Sequence, residues 1–280
     1  MNINDIKIVV DSSADMLFSD RVPFASAPLK IMTDKNEFVD DDRLDVVGMV
    51  NEMCHYKGRS YSSCPNAEEW VERFGDARYV FCVTITGALS GSYNSAGLAR
   101  DMYEEKFPDR KVYVIDSLST GPEVKLIVEK LNEYIDTGME FGGICESIEE
   151  YRRSTGLIFM LESMRNLANN GRVSAVTAKA AGLLGIRVIG KASDVGTLEM
   201  LDTCRGEKRG VEAVVKQLRA LGYWGGKLRI AHCLNESVAD EIRKKIQSEF
   251  ALSDIEIYPC RGICSFYAEK GGILVGFEKN

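Results

Sequence analysis

Residues Tyr79–Ser95 read YVFCVTITGALSGSYNS, and the two halves of this stretch differ in kind. Tyr79 to Ile85 is an apolar, β-branched and aromatic run of strand length, the pattern of a parallel strand buried on both faces. Thr86 to Ser92 is small and rich in hydroxyls, and Tyr93 to Lys106 has the spacing of a helix. A strand that empties through a Ser/Thr/Gly loop into a helix start gathers hydroxyls and free backbone N–H groups at one point. Such a point suits an anion. No catalytic base stands beside these hydroxyls in the sequence.

On either side the pattern repeats. Ile6 to Val10 is a short apolar run closed by Asp11-Ser12-Ser13, and Lys111 to Asp116 runs into Ser117-Leu118-Ser119-Thr120-Gly121 before a helix to about Thr137. Strand–helix alternation predicts a mostly parallel sheet, with the three polar ends on one edge, where open α/β sheets bind ligands. Ala27–Met32 and Glu37–Val39 flank Thr33–Asn36 as a hairpin. The acidic run Asp40-Asp41-Asp42 reads as a solvated helix start, and Leu44–Tyr56 as a helix turning Val47, Val50 and Cys54 inward. A second hydroxyl-rich stretch, Ser60–Asn66 (SYSSCPN), reads as a loop in which Ser63 or Cys64 caps a helix over Asn66–Phe74.

Gly142–Arg153 is helical and charged, and beyond Gly156 the character changes. A strand over Leu157–Leu161, a turn at Asn169-Asn170-Gly171 and a small-residue helix over Thr177–Leu184 come first. Antiparallel strands over Arg187–Lys191 and Leu198–Thr203 and an amphipathic helix over Lys208–Leu221 follow. Strands Lys227–Cys233 and Ile255–Tyr258 enclose a helix over Ser237–Phe250, and Ile273–Phe277 is the last strand. The expected fold is α/β in two domains. Residues 1–156 form a mostly parallel, Rossmann-like sheet carrying the hydroxyl loops. Residues 157–280 form a smaller mixed sheet with helices.

With 280 residues, 45% hydrophobic and 28% charged, the chain has the composition of an ordinary globular protein. Its net charge of −7 supplies no basic stripe for nucleic acid. No apolar run reaches the roughly 18 residues of a membrane span, and MNINDIKIVV lacks a signal-peptide pattern, so the expected location is the cytoplasm. Eight cysteines contain no C-x-x-C pair and only His55 and His232 are at hand, so the thiols read as small core residues and no metal or cofactor is expected. Gly87–Ser92 lacks the lysine of a phosphate-binding loop, and Ser90 is followed at once by Gly91, unlike a G-x-S-x-G elbow. A serine-dependent acyl-transferring or hydrolytic enzyme with Ser90 as nucleophile is the opposing reading, and it needs a base that the neighbouring sequence does not show.

The hydroxyl loops fit the recognition of a carboxylate by charge-assisted hydrogen bonds, the rest of the ligand being held by apolar burial. Five stretches then carry a resemblance. Asp11-Ser12-Ser13-Ala14-Asp15, Ser62-Ser63-Cys64-Pro65, Leu89–Ala96 (LSGSYNSA), Val114-Ile115-Asp116-Ser117 and Asn170-Gly171-Arg172-Val173-Ser174 resemble, in order and spacing, the motifs of the DegV family. The resemblance implies two α/β domains with a long-chain fatty acid buried between them, and no chemistry of the chain's own. It implies that Ser62 takes the place of the family's threonine and Ser90 that of its second-motif serine in holding the carboxylate. Ser63 and Ser92 in the same loops are further carboxylate candidates. Some members present fatty acid to a separate ATP-binding kinase subunit, and Arg172 matches the arginine associated with that partner, outside the carboxylate loops. Kinase-linked members carry an H-x-G-P-G-like loop near the C-terminus. Here Gly262–Gly272 reads GICSFYAEKGG, and Cys264 or Tyr267 stands where the histidine would.

Overall fold

The computed structural model describes residues 2–174 and 185–279, so the helix expected over Thr177–Leu184 lies outside the described residues. Four parallel strands form the first sheet, in the order β2 (Phe24–Ala27), β1 (Ile6–Asp11), β6 (Tyr79–Thr84), β7 (Lys111–Asp116). Helices α2 (Ala67–Phe74) and α3 (Ser92–Lys106) cover one face around Trp70, Phe74 and Tyr103. On the other, α4 (Pro122–Asp136) and α5 (Phe141–Arg153) pack around Ile8, Phe81 and Ile127. Burial on both sides explains why β1 and β6 read as unbroken apolar runs. The edge strand β2, sequence FASA, carries no such run and gave no sequence signal.

The second sheet is mixed, ordered β10 (Leu198–Arg205), β9 (Ile186–Ala192), β8 (Thr155–Leu161), β13 (Ile273–Glu278), β11 (Gly226–His232), β12 (Ser253–Pro259). Only β11 and β12 run parallel. The expectation of a smaller sheet is corrected here. The final strand inserts at the centre, between β8 and β11, and six strands make this sheet wider than the first. Side chains alternate across it, as the strand period requires. Ile158, Met160, Leu228, Ile230 and Val275 pack under α7 (Glu207–Ala220) and α8 (Glu236–Glu249). Leu157, Phe159, Leu161, Val188 and Leu274 face the other way, in a cluster shared with Leu29, Ile31, Met49 and Met53 from the first half of the chain.

Ile31 belongs to a small antiparallel sheet, β4 (Glu37–Val39), β3 (Lys30–Met32), β5 (Tyr61–Ser63), which Leu29 immediately precedes, and Met49 and Met53 belong to α1 (Val46–His55). The hairpin about Thr33–Asn36 is present, closed by a Thr33 N–H bond to the Asn36 carbonyl at 2.9 Å. Two readings are corrected. Helix α1 buries Met49, Val50 and Met53, while Val47 is 52% exposed and Cys54 lies in solvent. The helix is turned by about one position, with its flexible methionines filling the gap. Asp40 is not solvated but wholly buried, accepting the Gly262 and Ile263 N–H groups at 2.8 Å each. These open helix α9 (Gly262–Ala268), whose N-cap residue Arg261 offers no side-chain bond, so the orphan donors find a partner 222 residues away.

Helix α4 joins the two sheets. Its first turn lies against Gly276 of β13, where an added Cβ would sit 2.5 Å from the Pro122 backbone. Its outer face carries Glu129, which accepts two parallel bonds at 2.8 Å from Arg229 of β11. Arg229 also pairs with Asp254 at 3.1 Å and Glu256 at 3.5 Å, so the buried guanidinium stands in a small network of carboxylates. No helix among the described residues is long and apolar enough to cross a membrane.

Candidate functional site

The ends of β1, β6 and β7 meet on one edge and are tied together by carboxylates. Asp11 is buried and accepts the Ser92 hydroxyl at 2.6 Å, the Ile85 N–H at 2.9 Å and the Ser13 hydroxyl at 2.5 Å. Burial pushes its pKa up, against these bonds. Asp116 accepts the Gly87 N–H at 3.1 Å, and the Thr86 hydroxyl donates to the Gly196 carbonyl at 3.0 Å, reaching the β9–β10 turn of the other domain. The hydroxyl loops are therefore rigid. Much of their hydrogen-bonding capacity is spent on one another.

Between the sheets, over the inward face of β8, lies a narrow cavity that opens to solvent. Its buried wall is apolar, with Leu157, Phe159, Leu161 and Leu274 from the second sheet and Leu29 and Ile85 opposite. Half-buried Ser62, Ser90, Arg172 and Tyr267 stand together as its polar end.

Counting hydrogens shows what this end can offer. The Ser90 oxygen accepts the Ser92 N–H at 3.2 Å, which leaves the Ser90 O–H free to donate into the cavity. Ser62 and Tyr267 share one hydrogen bond at 2.6 Å, so whichever of them donates, one hydrogen of the pair is left over. Arg172 is the only charged residue in the lining among the described residues. Its Nη1 and Nε donate to the carbonyls of Asn170 at 2.8 Å and Leu89 at 3.2 Å, and its guanidinium lies 5.4 Å from the Tyr267 ring. Burial raises the Tyr267 pKa, while Ser62 and the Arg172 charge oppose the shift, so the phenol stays a donor. Two hydroxyl hydrogens and one cation at the mouth of an apolar cavity can hold one carboxylate.

The candidate residues fall into two groups. Ser62 and Ser90 line the cavity. Ser63, next along β5, faces the other side of the strand, and the Ser92 hydroxyl is committed to Asp11; neither lines the cavity. Arg172, Cys264 and Tyr267 all line it, so Arg172 does not stand outside the carboxylate loops. Of the two stand-ins for the histidine, Tyr267 meets Ser62, whereas the buried Cys264 thiol donates to the Ser13 carbonyl at 3.4 Å. No base stands beside Ser90 among the described residues. His55 is exposed on α1, and His232 accepts the Asn235 N–H at 3.3 Å elsewhere. Cys82, Cys233, Cys260 and Cys264 are buried, and no group of three metal-ligating side chains occurs among the described residues. Thr120 is the lining residue that sequence reasoning passed over, although it belongs to the third polar loop.

Helix α9, which carries Cys264 and Tyr267, is held at its start from across the interface. Besides Asp40, Asp15 accepts the Arg261 N–H at 2.7 Å, with the Cys264 thiol beside its carboxyl. Asp15 itself adopts a left-handed conformation, φ 56°. Burial, reinforced by the Asp40 charge, lifts the Asp15 pKa to about 7, against the pull of the Arg261 N–H and guanidinium and the Cys264 thiol.

A family model described as "Uncharacterised protein, DegV family" matches residues 5–280. The DegV domain-containing protein spr0652 of Streptococcus pneumoniae is 44% identical over 276 residues, 97% of this chain and 98% of the relative. Among solved structures, a DegV family protein from Eubacterium eligens loaded with heptadecanoic acid matches with TM-score 0.97 and 45% identity, covering 98% of this chain and 100% of that one. The Streptococcus pneumoniae Fatty Acid Kinase (Fak) B3 protein loaded with linoleic acid matches with TM-score 0.95 and 43% identity, covering 98% and 99%.

Proposed function

The chain belongs to the DegV family, and from that premise we propose that it binds a long-chain fatty acid between its two domains, residues 1–156 and 157–280. One observation carries the reading: Ser90 and the Ser62–Tyr267 pair, each with an unspent hydroxyl hydrogen, line together with Arg172 a cavity that is otherwise almost wholly apolar among the described residues. The carboxylate sits at that mouth and the acyl chain runs along Leu157, Phe159 and Leu274. Burial of the chain supplies most of the affinity, about 0.8 kcal/mol per methylene. The hydroxyls and Arg172 set direction and select an acid over an alcohol or ester. The fatty acids held by the two solved relatives support the assignment.

The protein acts as a cytoplasmic carrier or presenter without a cofactor, and a fatty-acid kinase subunit is its partner by analogy with the Fak B3 relative. Arg172 serves the ligand first and faces the partner second. With a tyrosine hydroxyl where kinase-linked members have histidine, this chain is a poor presenter to a generic kinase subunit. Native mass spectrometry of protein purified from bacteria tests the reading. A non-covalent adduct of fatty-acid mass is expected; an acylated serine would favour the enzyme, and no adduct after incubation with palmitic acid would overturn lipid binding. Acyl-phosphate formation with a kinase subunit tests the second part, and efficient turnover would overturn the poor-presenter assignment.

A further inference from the structure

Beyond the mouth, the cavity wall is, among the described residues, Leu, Ile, Phe and Ala except for Thr120 and Cys264. The Thr120 hydroxyl has one hydrogen-bond partner, the Cys264 sulfur at 3.6 Å, and sulfur is a weak donor and acceptor. That thiol has a better acceptor in the Ser13 carbonyl at 3.4 Å and also borders the Asp15 carboxyl. Among the described residues no other group reaches the Thr120 oxygen, and it is half-buried where its neighbours Ile85 and Leu274 are sealed. A hydroxyl covered by acyl chain without a partner costs about 1–3 kcal/mol. Cys264 precedes Tyr267 by three residues on α9, which places their Cβ atoms roughly 5–6 Å apart along the wall. The second polar spot therefore lies beside α9 one turn before the residue whose hydroxyl meets Ser62, which puts it nearer the polar end than the far wall of the cavity.

Resting on the fatty-acid reading above, we propose that Thr120 is a specificity residue that admits long-chain acids oxygenated near the carboxyl end, β-hydroxy acids foremost. A β-hydroxyl donates to the unfilled Thr120 oxygen and accepts from its O–H, whereas an unsubstituted chain leaves that oxygen unpaired. A hydroxyl near mid-chain meets only leucine and phenylalanine and is rejected.

Competition binding of palmitic acid, β-hydroxypalmitic acid and a mid-chain hydroxystearic acid to delipidated protein tests this. The wild type should hold the first two within about threefold and the third at least tenfold more weakly, the range that one satisfied or lost hydrogen bond produces. Thr120→Val, which keeps the shape without the hydroxyl, should leave palmitic acid unchanged or tighter and weaken the β-hydroxy acid about tenfold. Thr120→Ser should behave as wild type, so a folding defect in the valine variant does not decide the matter. An acid-to-hydroxyacid ratio unmoved by Thr120→Val overturns the proposal. Equal losses for both acids also overturn it, by making Thr120 a packing or carboxylate residue. A wild type that binds none of the three fails the fatty-acid reading instead, a result distinct from binding all three without preference.

Discussion

The two faces of the six-stranded sheet come from the same strands and do opposite things. Along β8, Ile158 and Met160 are locked under α7 and α8, while Leu157, Phe159 and Leu161 border a cavity. Composition does not separate them, since both sets are large aliphatic or aromatic side chains. What differs is the cover. Two amphipathic helices from the same domain close one face to crystal-like density. The other is roofed by elements of the first half of the chain, which meet it through α4, the Thr86–Gly196 contact, the start of α9 and the cluster shared with Leu29, Ile31, Met49 and Met53, and which leave a cavity beside Leu157, Phe159 and Leu161. A hydrophobic face is thus a core or a binding site according to what the rest of the topology brings over it.

The largest expected effect comes from filling the open face. Leu157→Trp should lower fatty-acid affinity by more than a thousandfold, since most of the affinity is apolar burial, while leaving the unfolding midpoint near wild type. Binding that survives would show that the acyl chain runs elsewhere. Identical truncations on the two faces come next. Leu228→Ala on the packed face should cost about 3–5 kcal/mol in urea unfolding, and Leu157→Ala less than half of that in delipidated protein, because a residue beside a void loses fewer contacts. Equal costs would mean that the two faces are packed alike.

Ser90→Ala should weaken acid binding about ten- to a hundredfold, and Ser62→Ala or Tyr267→Phe by similar or smaller factors, each removing one charge-assisted donor. Double substitutions should be non-additive, because the donors serve one charge. The matching fatty alcohol should respond much less, and equal losses for acid and alcohol would make these hydroxyls part of the pocket's shape only. The smallest effect is in pH. Asp15 and Asp40 border the hollow face, where they hold the first amides of α9 and the Arg261 N–H. With a folded pKa of about 7 against an ordinary 3.8, Asp15 contributes stability that is complete below about pH 4 and is lost as pH rises through 7. Thermal midpoints should therefore fall from pH 5 to pH 8, and Asp15→Asn, which suits the left-handed backbone, should flatten that fall. Asp11, Asp40 and Glu123 are also raised and keep part of the slope. A slope unchanged by Asp15→Asn would assign all of it to them.

The parallel sheet and its polar edge were legible because β1, β6 and β7 combine apolar runs with hydroxyl-rich exits, and both signals are local. Asp40 was misread because an acidic run carries no mark of what will cover it; its partners are amides at the far end of the chain. Helix α9 was passed over for a related reason. Its sequence, GICSFYA, is buried nearly all round and has no polar face to give it a helical period. Of the site, Ser62 and Ser90 could be picked out from their motifs, but not that Ser92 would be spent on Asp11 or that Tyr267 would reach Ser62. Those are outcomes of packing across more than 80 and 200 residues of separation.

The bond between Asp40 and the first amides of α9 has a consequence in time. Gly262 leaves the ribosome 222 residues after Asp40, an interval of roughly ten to forty-five seconds at ordinary elongation rates. Through that interval the parallel sheet and its hydroxyl loops can already be folded, while the carboxylate that will seat the last helix has nothing to hold. Tyr267 and the central strand β13 arrive after it. The cavity is therefore completed late, when β13 inserts between β8 and β11, both of which precede it in the chain.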